Sequence, residues 1–179
     1  TPKTWVLPSH CDVLIIYEPG PFFYGQICSF FEGYEIGFAD SPTNNINIPC
    51  LISIFFSLKF MRGESLSVRY FERYINLSRP SIVVTYIDND NSFYKLSRIC
   101  PHIKTIFFQN AWRHDRTGFK TIEPDPRNHV DLMLVFNETV ARKYSSYITG
   151  KGVVIGSLRN NSVPIKSHSS SARSQKILL

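Results

Sequence analysis

No two of the four cysteines stand close enough in sequence to make a CxxC pair. Cys11, Cys28, Cys50 and Cys100 give neither a CxxC motif nor zinc-finger spacing. A disulfide framework suits a shorter secreted chain, and the first three lie in apolar stretches, where a free thiol behaves as a small hydrophobe. Reduced thiols and a cytoplasmic location are the expectation. Long apolar runs are missing as well. The most apolar stretch, Ile48 to Phe60, is broken by Pro49, Ser53, Ser57 and Lys59 and falls short of the ~20 residues that span a bilayer. The opening Thr1-Pro2-Lys3-Thr4-Trp5 carries no apolar run of signal-peptide length. There is no GxGxxG and no P-loop. Gly150, Gly152 and Gly156 have the wrong spacing and precede a strand, not a helix, which disfavours a dinucleotide enzyme. No Ser-His-Asp order or nucleophile elbow is visible. The net charge is +6, yet the dense basic cluster is only Arg113, His114 and Arg116. Without an Arg-rich helix or an RNA-binding signature, nucleic acid is not an expected partner.

What is present is a core. Apolar residues make up 43% of 179 residues and aromatics 14%, which argues for one globular domain and against disorder. Cys11 to Glu18 is an apolar run ending in an acid and Pro19-Gly20-Pro21, as a buried parallel strand feeding a loop would read. Further strands are expected at Tyr34–Phe38, Ser81–Ile87, Lys104–Phe108, Asp131–Phe136 and Gly152–Gly156. Helices are expected at Phe22–Phe31, Pro49–Met61, Ser67–Leu77, Ser92–Ile99 and Glu138–Ile148, with a long irregular loop over 111–128. This β-α alternation predicts an α/β, Rossmann-like, mainly parallel sheet with helices on both faces, over residues 1–161. Residues 162–174 read as a Ser-rich linker. Residues 175–179 read as the start of a truncated second domain.

In open α/β sheets ligands bind beyond the carboxyl ends of the strands. The polar residues at those ends are Glu18 and Gly20; Asp40; Asp88, Asn89, Asp90 and Asn91; Gln109, Asn110, Arg113, His114 and Asp115; Asn137 and Glu138; Ser157, Arg159 and Asn160. Helix capping competes with binding at each Asp, Asn or Ser, at Asn91 and Asn137 above all. The Asp88-to-Asn91 run lacks the Gly and distal Glu of a calcium loop, so no metal is expected. Amides fix sugar hydroxyls, Arg holds phosphate or carboxylate through paired bonds, and His accepts protons near neutral pH.

Certain segments resemble a known family: Asp12-Val13-Leu14-Ile15-Ile16-Tyr17-Glu18 with Gly20; Arg79-Pro80-Ser81-Ile82-Val83-Val84-Thr85-Tyr86-Ile87-Asp88-Asn89 followed by Phe93-Tyr94; Phe108-Gln109-Asn110; Asp131 to Phe136; and Gly156-Ser157 with Asn160 or Asn161. Together they resemble the surface carbohydrate (polysaccharide) biosynthesis proteins, which are similar in shape to GT-B glycosyltransferases. One departure is Ala111-Trp112, where the family pattern has Gly after Gln109-Asn110. The resemblance implies the N-terminal half of a GT-B-like two-domain protein. This half would bind the acceptor glycan or sugar, and the missing half a nucleotide-sugar donor; no cofactor is expected in this domain. For a sugar transferase, the chemistry of the strand-end residues makes Asp88 or His114 the expected general base. Glu18, Gly20, Asn89, Asn91, Gln109, Asn110 and Asn160 would bind the substrate, and Arg113 and Ser157 would meet a phosphate or sugar acid. A non-catalytic glycan-binding or scaffold protein and a sugar-nucleotide epimerase stay open as alternatives. So do peripheral association with the inner face of the membrane and the oligomeric state.

Overall fold

A computed structural model describes residues 2–17, 20–40, 43–56, 63–113 and 118–161; the side chains of Pro21, Phe22 and Asn161 are not described either. The expected linker 162–174 and the segment 175–179 therefore lie outside the described residues.

Six strands form one all-parallel sheet in the order β3-β2-β5-β6-β7-β8: β2 (Val13–Ile16), β3 (Ile36–Ala39), β5 (Ile82–Thr85), β6 (Lys104–Phe108), β7 (His129–Val135) and β8 (Thr149–Val154). The sheet is Rossmann-like and flanked by helices, as the alternation of elements predicted. β2 is an interior strand, paired on both sides, and all four of its residues are buried. That double burial is why it reads as an unbroken apolar run with no polar alternation. Two short strands, β1 (Lys3–Thr4) and β4 (Ile46–Asn47), form a separate parallel ladder. At two residues each, they leave no periodic trace in the sequence.

The helices are α1 (Pro21–Ser29), α2 (Ile48–Phe55), α3 (Leu66–Ser78), α4 (Leu96–Ile99), α5 (Glu138–Tyr144) and α6 (Leu158–Asn161). Local chemistry sets their ends. Asn47 caps α2 by accepting from the Cys50 amide, Ser65 caps α3 through Val68, and Asn137 caps α5 through Val140. α3 stops at Arg79, which takes a left-handed conformation (φ 53°) before Pro80. α2 is described only to Phe55, and the rest of the helix expected to Met61 falls largely on residues 57–62, outside the described set. The helix expected at Ser92–Ile99 opens as a 3-10 turn over Phe93–Lys95.

The two sheet faces carry separate cores. One packs Leu14, Ile16, Val83, Phe107 and Met133 against Ile54 of α2, Phe71 and Ile75 of α3, Leu96 of α4 and Tyr144 of α5. The other packs Val13, Ile15, Val84 and Phe108 against Ile27 and Phe31 of the α1 side and Leu158 of α6. All four cysteines are free, and burial pushes the Cys50 thiol up to about 12. The thiol therefore acts as an apolar filler, not a nucleophile.

β8 begins three residues earlier than the apolar pattern suggested, at Thr149 instead of Gly152. It is an edge strand with its first four residues exposed, so no hydrophobic signal marks its start. Gly150, at φ 133°, lies so close to β7 that a Cβ there would stand 1.7 Å from the Val130 carbonyl oxygen. The same stretch holds a register irregularity between His129 and Leu132.

Candidate functional site

Because every strand in the sheet runs the same way, the residues after β2, β3, β5, β6 and β7 share one rim. The strand order reverses between β2 and β5, where doubly wound sheets open a crevice. Here that junction is bridged. Tyr17, held at φ 65°, donates its hydroxyl to Asp90 Oδ2 at 3.0 Å, and Phe23 stacks on Tyr86 with ring centroids 5.9 Å apart. Asp90 Oδ1 accepts from the Ser92 amide at 2.8 Å, an Asx-type turn. Burial raises the Asp90 carboxyl above the usual aspartate range, against the pull of its hydrogen bonds from Ser92 and Tyr17.

In the same loop after β5, Asp88 is fully buried. Arg113 grips it with both arms of the guanidinium: Nε donates to Oδ2 at 2.9 Å, and Nη2 donates to Oδ1. Tyr144 of α5 donates its hydroxyl to Oδ2, and Tyr94 donates to the Asp88 backbone carbonyl. Burial and then the nearby Asp88 charge raise both phenols, so each stays a proton donor. The Tyr144 ring is fixed by Phe107 and Phe119, with centroids 5.0 and 5.1 Å away. Hydrogen bonding to Asp88 raises Arg113 further above its already high range, so it stays charged. A general base must present a lone pair to a substrate hydroxyl. Asp88 has no exposed surface, and its oxygens already accept three donors. Its geometry is that of an anchor for Arg113.

The anchored guanidinium organises the rim. Nη2 also donates to Asn89 Oδ1 at 3.2 Å and to Asn110 Oδ1 at 3.3 Å. Since arginine has no acceptor, the oxygens of both amides must face it. Their two NH₂ groups are thereby turned away from the ion pair, and neither donates to any group among the described residues.

The other expected site residues have different employments. Gln109 is buried, with its amide donating to Ala111 O at 2.9 Å and its oxygen accepting from the Phe136 amide at 2.9 Å. It braces the end of β6 against that of β7. Asn91 clamps the loop before β7, donating to Thr121 O and accepting from the Glu123 amide, each at 2.9 Å. Gly20 starts α1, its carbonyl accepting from the amides of Phe23 and Tyr24. Ser157 and Asn160 meet each other through the backbone at α6, and Asn160 is exposed. Glu18 and His114 lie outside the described residues. Asp90, which the sequence reading passed over in favour of Asp88, is the rim carboxylate with a raised pKa; the raised value follows from burial, which the Asp88-to-Asn91 string does not reveal.

Among the described residues no three His, Cys, Asp or Glu side chains group as a metal site, and no helix is long and apolar enough to cross a membrane. No curated protein and no solved structure matches the chain. Residues 106–179 match the model of a family described as "putative O-antigen biosynthesis protein". The matched segment contains Asn110, Arg113 and Tyr144 but not Asp88 or Asn89, and it links the chain to the biosynthesis of surface polysaccharide.

Proposed function

We propose that this domain forms the acceptor side of a glycosyltransferase that builds a cell-surface polysaccharide, within a GT-B-like pair of domains whose partner half binds the nucleotide-sugar donor. The observation that carries the reading is the pair of amide NH₂ groups at Asn89 and Asn110, set outward by one buried ion pair. Oriented amide donors suit the hydroxyl oxygens of a sugar, and fixing them in advance lowers the entropy lost on binding. In this reading Asp88 positions and does not react. His114, next to Arg113 in sequence, is the base. Glu18, Gly20, Ser157 and Asn160 flank the acceptor.

The test is transfer by the full-length gene product from a panel of nucleotide-sugars to acceptor glycans. Removing one neutral hydrogen bond costs about 0.5–1.5 kcal/mol, so Asn89→Ala and Asn110→Ala should each raise the acceptor KM roughly 2- to 12-fold and leave the donor KM unchanged. His114→Ala should lower kcat by ~10²- to 10⁴-fold. If both amide variants kept the wild-type acceptor KM, the assignment would fail. Glycan binding with no transfer from any donor would turn the reading to a scaffold of the same pathway.

A further inference from the structure

We infer that the cavity beneath the β1–β4 ladder is a second carbohydrate subsite, taking one neutral or amino-substituted pyranose. The cavity measures about 130 Å³ and opens at the carboxyl end of β3, between the ladder and α3. A closed cavity of ~150 Å³ holds benzene; this one is slightly smaller but open, so a pyranose would seat part of its ring and leave the remaining substituents in solvent.

The walls are polar, and their spare capacity is mostly for accepting hydrogen bonds. Asp40 lines the cavity, and its carboxylate has no hydrogen-bond or ion-pair partner among the described residues. Tyr74 donates its hydroxyl to Phe38 O at 2.9 Å, which leaves the phenol oxygen free to accept. Thr4 donates to Asn45 Oδ1 at 3.2 Å, which turns the Asn45 NH₂ to other partners. Asn47 is already used, donating to Val6 O and accepting from the Cys50 amide. Among the described residues, no Lys, Arg or His lines the cavity. A phosphate or carboxylate would meet the unpaired Asp40 charge with nothing to offset it. Hydroxyls and an ammonium group both offer what the walls accept. Asp40 also stands close enough to help raise the Tyr70 and Tyr74 phenols, after burial as the main cause, with Tyr74 at about 12. Both hydroxyls therefore stay protonated.

β3 and β6 stand three strand spacings apart in the sheet, or ~14 Å at about 4.8 Å per strand. Asp40 and Asn110 follow those two strands on the same rim, so a chain of a few sugars would span from one to the other. Only this last step, the identity of the pyranose as part of an acceptor glycan, rests on the proposed function.

The experiment titrates the full-length protein with glucosamine, glucose and glucuronate, read by saturation-transfer NMR. Glucosamine and glucose should bind, with glucuronate at least tenfold weaker than glucosamine. Asp40→Asn should weaken glucosamine at least tenfold. Asn45→Ala should weaken both bound sugars several-fold, and it carries the test if the first variant does not fold. The loss of glucosamine binding caused by Asp40→Asn should be as large in an Asn110→Ala background as in the wild type, which separates this pocket from the Arg113 rim. Monosaccharide binding with this pattern supports the subsite even if no donor sugar is ever transferred. The inference is overturned if no sugar binds, if glucuronate binds as well as glucosamine, or if folded Asp40→Asn and Asn45→Ala both bind like wild type.

Discussion

Removing Arg113 should unfold the rim from within, and a double variant should restore it. Asp88 has no exposed side-chain surface, whereas Arg113 keeps 14% of its own. In Arg113→Met the carboxylate stays buried with only tyrosine and backbone neighbours to hold its charge. Breaking a buried pair in this direction costs about 3–5 kcal/mol. For a chain of this size 1 kcal/mol moves Tm by roughly 2–4 °C, so the variant should melt roughly 6–20 °C below wild type. Asp88→Asn is milder, at about 1–3 kcal/mol, because the guanidinium reaches water and the new amide oxygen still accepts from Tyr144. The double variant holds no buried charge and keeps that acceptor, so its loss should be about 1–2 kcal/mol instead of the sum of the two singles. Urea unfolding followed by circular dichroism gives all four corners of the cycle. If Arg113→Met cost under about 1 kcal/mol, or the double variant lost the full sum, the ion pair would not be the element that holds the rim.

Two further outcomes test other parts of the structure. Gly150→Ala places a Cβ 1.7 Å from Val130 O at a φ of 133° that L side chains avoid. It should destabilise by at least about 3 kcal/mol, and a thermal shift of under a degree would contradict the strand contact. Asp90 has a folded-state pKa raised by burial. Its contribution to stability is thus fully present below the unfolded pKa and is lost as pH rises through the folded one. Asp90→Asn should match wild type in acid and exceed it at neutral pH; an equal difference at every pH would refute the assignment.

The sheet was legible because its interior strands β2 and β5 are largely buried on both faces, which writes Val13–Ile16 and residues 82–84 as plain apolar runs. Caps were legible too, since Asn137 before Glu138 needs only its own side chain and the next amides. The β1–β4 ladder was hidden by its length, and the start of β8 by the exposure of an edge strand. The rim residues were found as a group, because topology alone gathers the carboxyl ends. Their roles were not readable. Asp88 and Asp90 sit two apart in a string of four polar residues, and nothing local says which turns inward to Arg113, a residue 25 positions away. Gln109 and Asn91 carry the chemistry of sugar ligands, yet they spend both ends of their amides on loop backbones.

The ion pair also decides what kind of ligand the rim should prefer. A free arginine at a strand end would attract phosphate, and its affinity would fall with salt. Here the positive charge is matched by Asp88 at contact distance, and the two amide oxygens add further negative ends around the same Nη2. What reaches outward is a pair of neutral NH₂ dipoles. Binding through dipoles is short-ranged and nearly insensitive to ionic strength. If the full-length protein is the transferase proposed above, its acceptor KM should therefore change by less than about twofold between low and high salt, since exposed charge attraction is what the ~10 Å Debye length at 0.1 M screens. A tenfold rise in KM over that range would mean that Arg113 reads an anion directly. The carboxylate beneath it would then be a counter-charge that the substrate overcomes, not the means by which the amides are set.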